Sequence, residues 1–144
     1  MSSTHPVYVV DDEPGIRDLL VHLCEDRGLA CRAFADGEQF LDALSDLPPG
    51  CVLLDMRLPR RNGLQVQAEM IGRGRAFPVI AITGYADVDM AVEAMRMGAV
   101  DFLEKPFQND VLFEAIDRGL ARLDEPDWRA DAARNDPGPD GLTR

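Results

Sequence analysis

Five short apolar runs alternate with five stretches whose apolar residues recur at helical spacing. That alternation restricts the chain to an α/β architecture, a five-stranded parallel sheet doubly wound with helices on both faces. The runs are Val7-Tyr8-Val9-Val10, Ala30 to Phe34, Cys51-Val52-Leu53-Leu54, Val79-Ile80-Ala81-Ile82 and Val100 to Leu103. Such continuous apolar runs, bounded by turn residues, suit strands covered on both sides. Between them, Pro14 suits the first turn of a helix carrying Ile16, Leu19, Leu20 and Leu23, stopped by Gly28. Asp36 caps a short helix with Phe40, Leu41 and Leu44 before Pro48-Pro49-Gly50 breaks the chain. Asn62-Gly63 opens a third helix through Leu64, Val66 and Met70, and Asp87 begins a fourth with Met90, Ala91, Ala94 and Met95, stopped by Gly98. Asn109 caps a last one through Leu112, Ala115, Ile116 and Leu120.

The length of 144 residues, 46% of them hydrophobic, allows one sizeable core and not two. Residues 1–123 read as one domain. Residues 124–144, rich in Asp, Pro and Gly, read as a linker or disordered tail. No run approaches the roughly 18 to 20 apolar residues of a membrane span, and the N-terminus lacks a charged and apolar leader. A cytoplasmic protein is expected. Cys24, Cys31 and Cys51 lack metal-ligand spacing and read as small core residues in a reducing compartment. A net charge of −11 excludes a basic nucleic-acid surface, so any DNA contact must come from elsewhere.

In a sheet of this kind ligands bind beyond the carboxyl ends of the strands. Four of the five exits here carry chemically useful residues: Asp11 and Asp12 after the first, Asp55 after the third, Thr83 after the fourth and Lys105 after the fifth. Lys105 is the only lysine among 15 basic residues, a compact point charge in a chain that otherwise uses arginine. Taken alone, Asp11-Asp12 reads as a solvated loop before a helix, and Asp55 as a turn residue. Together the three carboxylates would repel one another unless a hard divalent cation relieved them, and Mg²⁺ fits best, since it takes one or two carboxylates, several waters and a phosphate oxygen. The expected product is an aspartyl phosphate at Asp55, with Lys105 and the Thr83 hydroxyl as further stabilisers of the phosphoryl charge.

The ordered set of motifs resembles the receiver domains of two-component response regulators over residues ~5 to ~123. The motifs are Val7 to Val10 into Asp11-Asp12, Val52-Leu53-Leu54-Asp55-Met56-Arg57-Leu58-Pro59 followed by Asn62-Gly63, Ile82-Thr83-Gly84, and Asp101-Phe102-Leu103-Glu104-Lys105-Pro106-Phe107. The resemblance implies the flavodoxin-like (βα)5 fold and a phosphorylation-controlled switch in which Asp55 accepts a phosphoryl group from a sensor histidine kinase. It implies Asp12, Asp55 and the Arg57 backbone carbonyl as direct ligands of Mg²⁺, or Mn²⁺ in its place, with Asp11 a ligand through water. It makes Thr83 and Phe102 a switch pair, although Phe102 reads equally well as a plain core aromatic. The changed surface would be the fourth helix, fifth strand and fifth helix, which with Arg96 and Asp101 would support a phosphorylation-dependent homodimer. Lifetime in this family is tuned two residues beyond the acceptor and two beyond the threonine, here Arg57 and Tyr85. Neither is suited to orienting a water, so slow self-dephosphorylation is expected.

The stretch from Ile82 to Phe107 resembles the FixJ-like subgroup, whose receivers drive helix-turn-helix transcription domains. Leu142-Thr143-Arg144 resembles the opening of such an output module, through which alone DNA would be contacted. A phosphatase of the haloacid dehalogenase type also joins Asp, Thr, Lys and Mg²⁺, but needs a second Asp two residues after the nucleophile, where Arg57 stands. An unphosphorylated interaction domain would carry a degenerate site, whereas this one is complete. The chain is therefore expected to be a regulatory phospho-acceptor and not an enzyme acting on other substrates.

Overall fold

A computed structural model describes residues 5–125. The strands are β1 (Val7–Val10), β2 (Cys31–Phe34), β3 (Cys51–Asp55), β4 (Val79–Thr83) and β5 (Asp101–Glu104), all parallel, in the order β2-β1-β3-β4-β5. The helices are α1 (Pro14–Asp26), α2 (Gly37–Ala43), α3 (Gly63–Gly72), α4 (Val88–Arg96) and α5 (Asn109–Leu123). The expected doubly wound fold is the one observed. Residues 126–144, most of the stretch read as a tail, lie outside the described residues, as does the Leu142-Thr143-Arg144 motif.

Side-chain alternation divides the core into two layers. Tyr8, Val10, Val52, Leu54, Val79 and Ala81 face α2, α3 and α4, while Val7, Val9, Cys51, Leu53, Ile80 and Ile82 face α1 and α5. In the first layer Tyr8, Phe34, Phe40 and Phe77 form an aromatic group with ring centroids 5.3 to 6.4 Å apart. Cys24 and Cys51 are buried and Cys31 partly so, all three as free thiols. Among the described residues no helix is long and apolar enough to cross a membrane.

Local signals behave as their chemistry dictates in most places. Pro14 opens α1, the Asp36 carboxylate accepts from the Gln39 amide, and Asn62 and Gln65 make a reciprocal capping box. Gly28 and Gly98 end their helices at φ of 78° and 107°. Two expectations are corrected. Leu20 and Cys24, not Leu19, are the fully buried positions of α1, which leaves Leu19 half-exposed, because the stripe is centred one residue further along. Asn109 is the first residue of α5 rather than its cap, the capping position being Gln108 with no side-chain bond. Asp87 stands immediately before α4, as expected, but closes a short 3-10 turn, Tyr85–Asp87, and its carboxylate is engaged elsewhere without a capping bond.

The packing of α5 on the sheet depends on Gly119, where an added Cβ would lie 2.5 Å from the Cys51 Sγ. Gly119→Ala is expected to destabilise by about 1 to 2 kcal/mol, as overpacking outweighs the better helix propensity of alanine. In a Cys51→Ala background the same change should turn stabilising by up to ~1 kcal/mol, because the sulfur is gone and propensity remains. Urea unfolding of the four proteins checks the sign reversal.

Candidate phosphoryl-acceptor site

Parallel pairing delivers the exit residues to one edge. Val10 pairs with Leu54 and Asp55 with Ile82, so Asp11 and Asp55 leave adjacent central strands together. Thr83 pairs with Glu104, and the Lys105 amide donates to the Thr83 carbonyl at 2.8 Å, which fixes Lys105 beside the end of β4. The Lys105–Pro106 peptide bond is cis. The crevice lies where strand order reverses around β1 and β3.

The Lys105 ammonium sits among three carboxylates, donating to Asp11 Oδ2 at 3.1 Å, Glu13 Oε1 at 3.1 Å and Asp55 Oδ2 at 3.3 Å. A compact charge can serve three separate acceptors in a way a planar guanidinium cannot. Burial pulls the Lys105 pKa down, but the Asp55 and Asp11 carboxylates and the Glu13 hydrogen bond outweigh it and hold the group above its ordinary value. Burial pushes the Asp55 carboxyl up to about 6; the Arg57 amide, donating at 2.9 Å, opposes this, the Asp11 charge adds to it and Lys105 opposes it. Lys105 alone therefore leaves the crevice short of positive charge. Asp11 is buried with both oxygens engaged, Oδ1 accepting from the Glu13 amide at 2.9 Å.

One oxygen from each of Asp11, Asp12 and Asp55 lies within 4.8 Å of the others. Two of these residues are buried and Asp12 is exposed, so the set is open to solvent on one side. Hard oxygen donors of this number and openness fit a divalent cation that retains waters. The raised Asp55 carboxyl is the electrostatic counterpart of that fit.

Thr83 is fully buried, and its Oγ1 has no hydrogen-bond partner. A hydroxyl so placed carries an unmet donor at the strand exit, a cost that a ligand oxygen would remove. Phe102, on β5 beside β4, has 41% of its surface exposed and is thus not a core aromatic in this conformation.

Two groups were not read from the sequence as parts of the site. Glu13 supplies the third carboxylate to Lys105; its signal was the acidic run Asp11-Asp12-Glu13. The Arg57 side chain crosses from the loop after β3 to Asp87, with Nε 3.1 Å from Asp87 Oδ2 and a second bond from Nη2 to Oδ1. The Arg57 hydrogen bond, with its charge, holds the Asp87 carboxyl below its ordinary range. No local pattern announces this pair, because its members are 30 positions apart.

The sequence model of the response regulator receiver domain matches residues 7–117. The chain is 40% identical over 136 residues to the transcriptional regulatory protein FixJ of Bradyrhizobium diazoefficiens, covering 94% of this chain and 66% of that one. It is 37% identical over 128 residues to the response regulator protein TodT of Pseudomonas putida, covering 89% and 56%. Full-length FixJ from B. japonicum superposes with a TM-score of 0.80 at 40% identity, over 91% of this chain and 64% of that chain. The crystal structure of FixJ-N gives a TM-score of 0.79 at 38% identity, over 83% of this chain and 96% of that one. The chain thus spans between about half and two thirds of the length of these curated relatives.

Proposed function

The chain belongs to the response regulator receiver domain family, and from that premise we propose that it is a cytoplasmic switch set by phosphorylation of Asp55. The observation that carries the reading is the Asp55 carboxylate itself, buried beside Asp11 and held by one ammonium and one amide. In the proposed step an Asp55 oxygen attacks phosphorus, the new O–P bond forms as the P–N bond to a kinase histidine breaks, and the leaving imidazole takes a proton from solvent.

Asp11, Asp12, Asp55 and the Arg57 carbonyl would hold Mg²⁺, or Mn²⁺. The cation supplies charge neutralisation for the acids and the phosphoryl oxygens. Lys105 keeps its ammonium on Asp55 throughout, so attack occurs with a positive charge already in place. The Thr83 hydroxyl, without a partner at rest, donates to a phosphoryl oxygen. Movement of Thr83 leaves room behind it, into which the exposed Phe102 ring turns. The proposed domain ends at residue 123; the sequence after it, read as a linker or disordered tail, lies almost entirely outside the described residues.

Readout is assigned to α4, β5 and α5. Val88, Val92 and Met95 form an exposed apolar stripe on α4, with exposed Phe102 and Val111 on the neighbouring elements, a patch suited to a second copy of the chain. Asp101 is paired with Arg118 and Arg96 with Glu93 in the single chain, so both would exchange partners on dimerisation. The relatives named as transcriptional regulators support a helix-turn-helix output domain as the DNA-contacting part of a longer protein. The chain itself acts as a regulator, promoting only its own phosphorylation and dephosphorylation.

Incubation with Mg²⁺ and phosphoramidate, followed by intact mass measurement, tests the assignment. A single phosphoryl adduct is expected in the wild type and none in Asp55→Asn. An adduct of equal yield in both would refute it. Hydrolysis should be slow, because Arg57 and the exposed Tyr85 offer no acid or amide to orient water. The adduct is expected to decay over minutes or longer; loss within seconds would contradict this.

A further inference from the structure

We propose that the Arg57–Asp87 ion pair is a latch across the acceptor site, closed at rest and opened when Arg57 turns to the phosphoryl group on Asp55. The inference rests on the acceptor role of Asp55. Arg57 is tethered to the acceptor by its own amide, 2.9 Å from Asp55 Oδ1, while its side chain reaches the turn that leads into α4. There the Asp87 carboxylate accepts from both Nε and Nη2 of Arg57. The Asp87 amide in turn donates to the carbonyl of Gly84, the residue beside Thr83, at 3.0 Å. Asp87 thus ties the loop after β3 to the backbone next to the buried, unpartnered Thr83 hydroxyl. While that tie holds, the turn cannot carry Thr83 toward Asp55.

The two members of the pair are unequal. The Arg57 side chain is 73% exposed and that of Asp87 only 7%. Arg57 can therefore leave into water at little cost, whereas Asp87, deserted, would be a buried carboxylate without a countercharge. A phosphoryl group on Asp55 offers the guanidinium a doubly charged acceptor of matching bidentate geometry. Once Arg57 has moved, Asp87 must seek water, and the turn Tyr85–Asp87 moves with it. That turn leads directly into Val88, the first residue of the exposed apolar stripe of α4. The latch thereby converts charge at Asp55 into displacement of the face assigned to readout, and at the same time frees Thr83 to move.

The test uses the full 144-residue chain with Mg²⁺ and phosphoramidate. In the wild type, the Arg57 Nε–H resonance is expected to shift on phosphorylation as its partner changes from carboxylate to phosphoryl oxygen. In Asp87→Asn, the amides of Gly84 and Val88 should move toward their phosphorylated wild-type positions without any donor. Phosphorylation should be roughly threefold to tenfold faster, the population shift an ion-pair coupling of this class carries. Arg57→Ala, which keeps the backbone carbonyl, should release the turn in the same way yet gain no rate, since the phosphoryl partner is gone. An Arg57 Nε–H unmoved in phosphorylated wild type, or Asp87→Asn amides at their resting positions, overturns the latch and leaves the acceptor role standing. Failure of the wild type to accept phosphate at Asp55 removes both.

Discussion

Lys105→Gln is expected to slow phosphorylation of Asp55 by a factor on the order of 10² to 10³ at saturating Mg²⁺, the range associated with removing one preorganised donor from developing charge. The ammonium touches Asp11, Glu13 and Asp55 at once, so its loss takes away the positive charge of a site already crowded with acids. Two effects combine. The Asp55 carboxylate would lose the ammonium that opposes the cost of its burial, and the phosphoryl charge would lose a partner in the transition state. Lys105→Arg should rescue only a small part of the rate, because a planar fork cannot reproduce one charge about 3 Å from three separate carboxylates. Time courses of adduct formation measure both variants. Near-wild-type rates for Lys105→Gln would show that the lysine is a structural ion-pair partner only.

The second large effect concerns stability. A buried acid whose folded pKa is raised from 3.8 to about 6 makes the folded state bind more protons than the unfolded state within that window. The sign follows directly: the contribution of Asp55 to wild-type stability falls as pH rises from 3.8 to about 6, and above that range the full cost is present. In a chelator, Asp55→Asn should therefore be more stable than the wild type at pH 7 by about 2 to 3 kcal/mol, with the difference vanishing near the lower end of the window. Mg²⁺ should narrow or close this gap, since a ligand at a hundredfold its Kd contributes roughly 2.7 kcal/mol to the wild type and the asparagine variant, having lost one charged ligand, gains less. Urea unfolding across pH, with and without Mg²⁺, reads both halves. A variant no more stable than wild type in chelator at pH 7 would mean that Asp55 is not electrostatically frustrated.

The fold was legible in the sequence because its three central strands, β1, β3 and β4, are continuous apolar runs buried on both faces, and every strand but β2 exits into charge or hydroxyl. Parallel pairing then does the rest: adjacency of Asp11, Asp55, Thr83 and Lys105 follows once each lies at a carboxyl end. Features that depend on helix phase or on long-range partners were not legible. Leu19 and Leu20 are equally apolar, and only packing against the sheet selects Leu20. Asp87 has the composition of a helix cap, yet its carboxylate is taken by Arg57 from another loop. Glu13 is simply the end of an acidic run in the sequence, and its place in the site depends on Lys105 reaching it from 92 positions away. Tertiary competition for a polar group leaves no trace in its neighbours along the chain.

The assignment of Asp55 as the acceptor is tested most directly by locating the phosphoryl group itself. After phosphorylation with Mg²⁺ and phosphoramidate, reduction with borohydride converts an aspartyl phosphate to homoserine, which peptide mass spectrometry places in the sequence. Homoserine at position 55 alone is expected. Homoserine at position 11 or 12, a reduced Glu13, or phosphate retained on His5 or His22 would contradict the account.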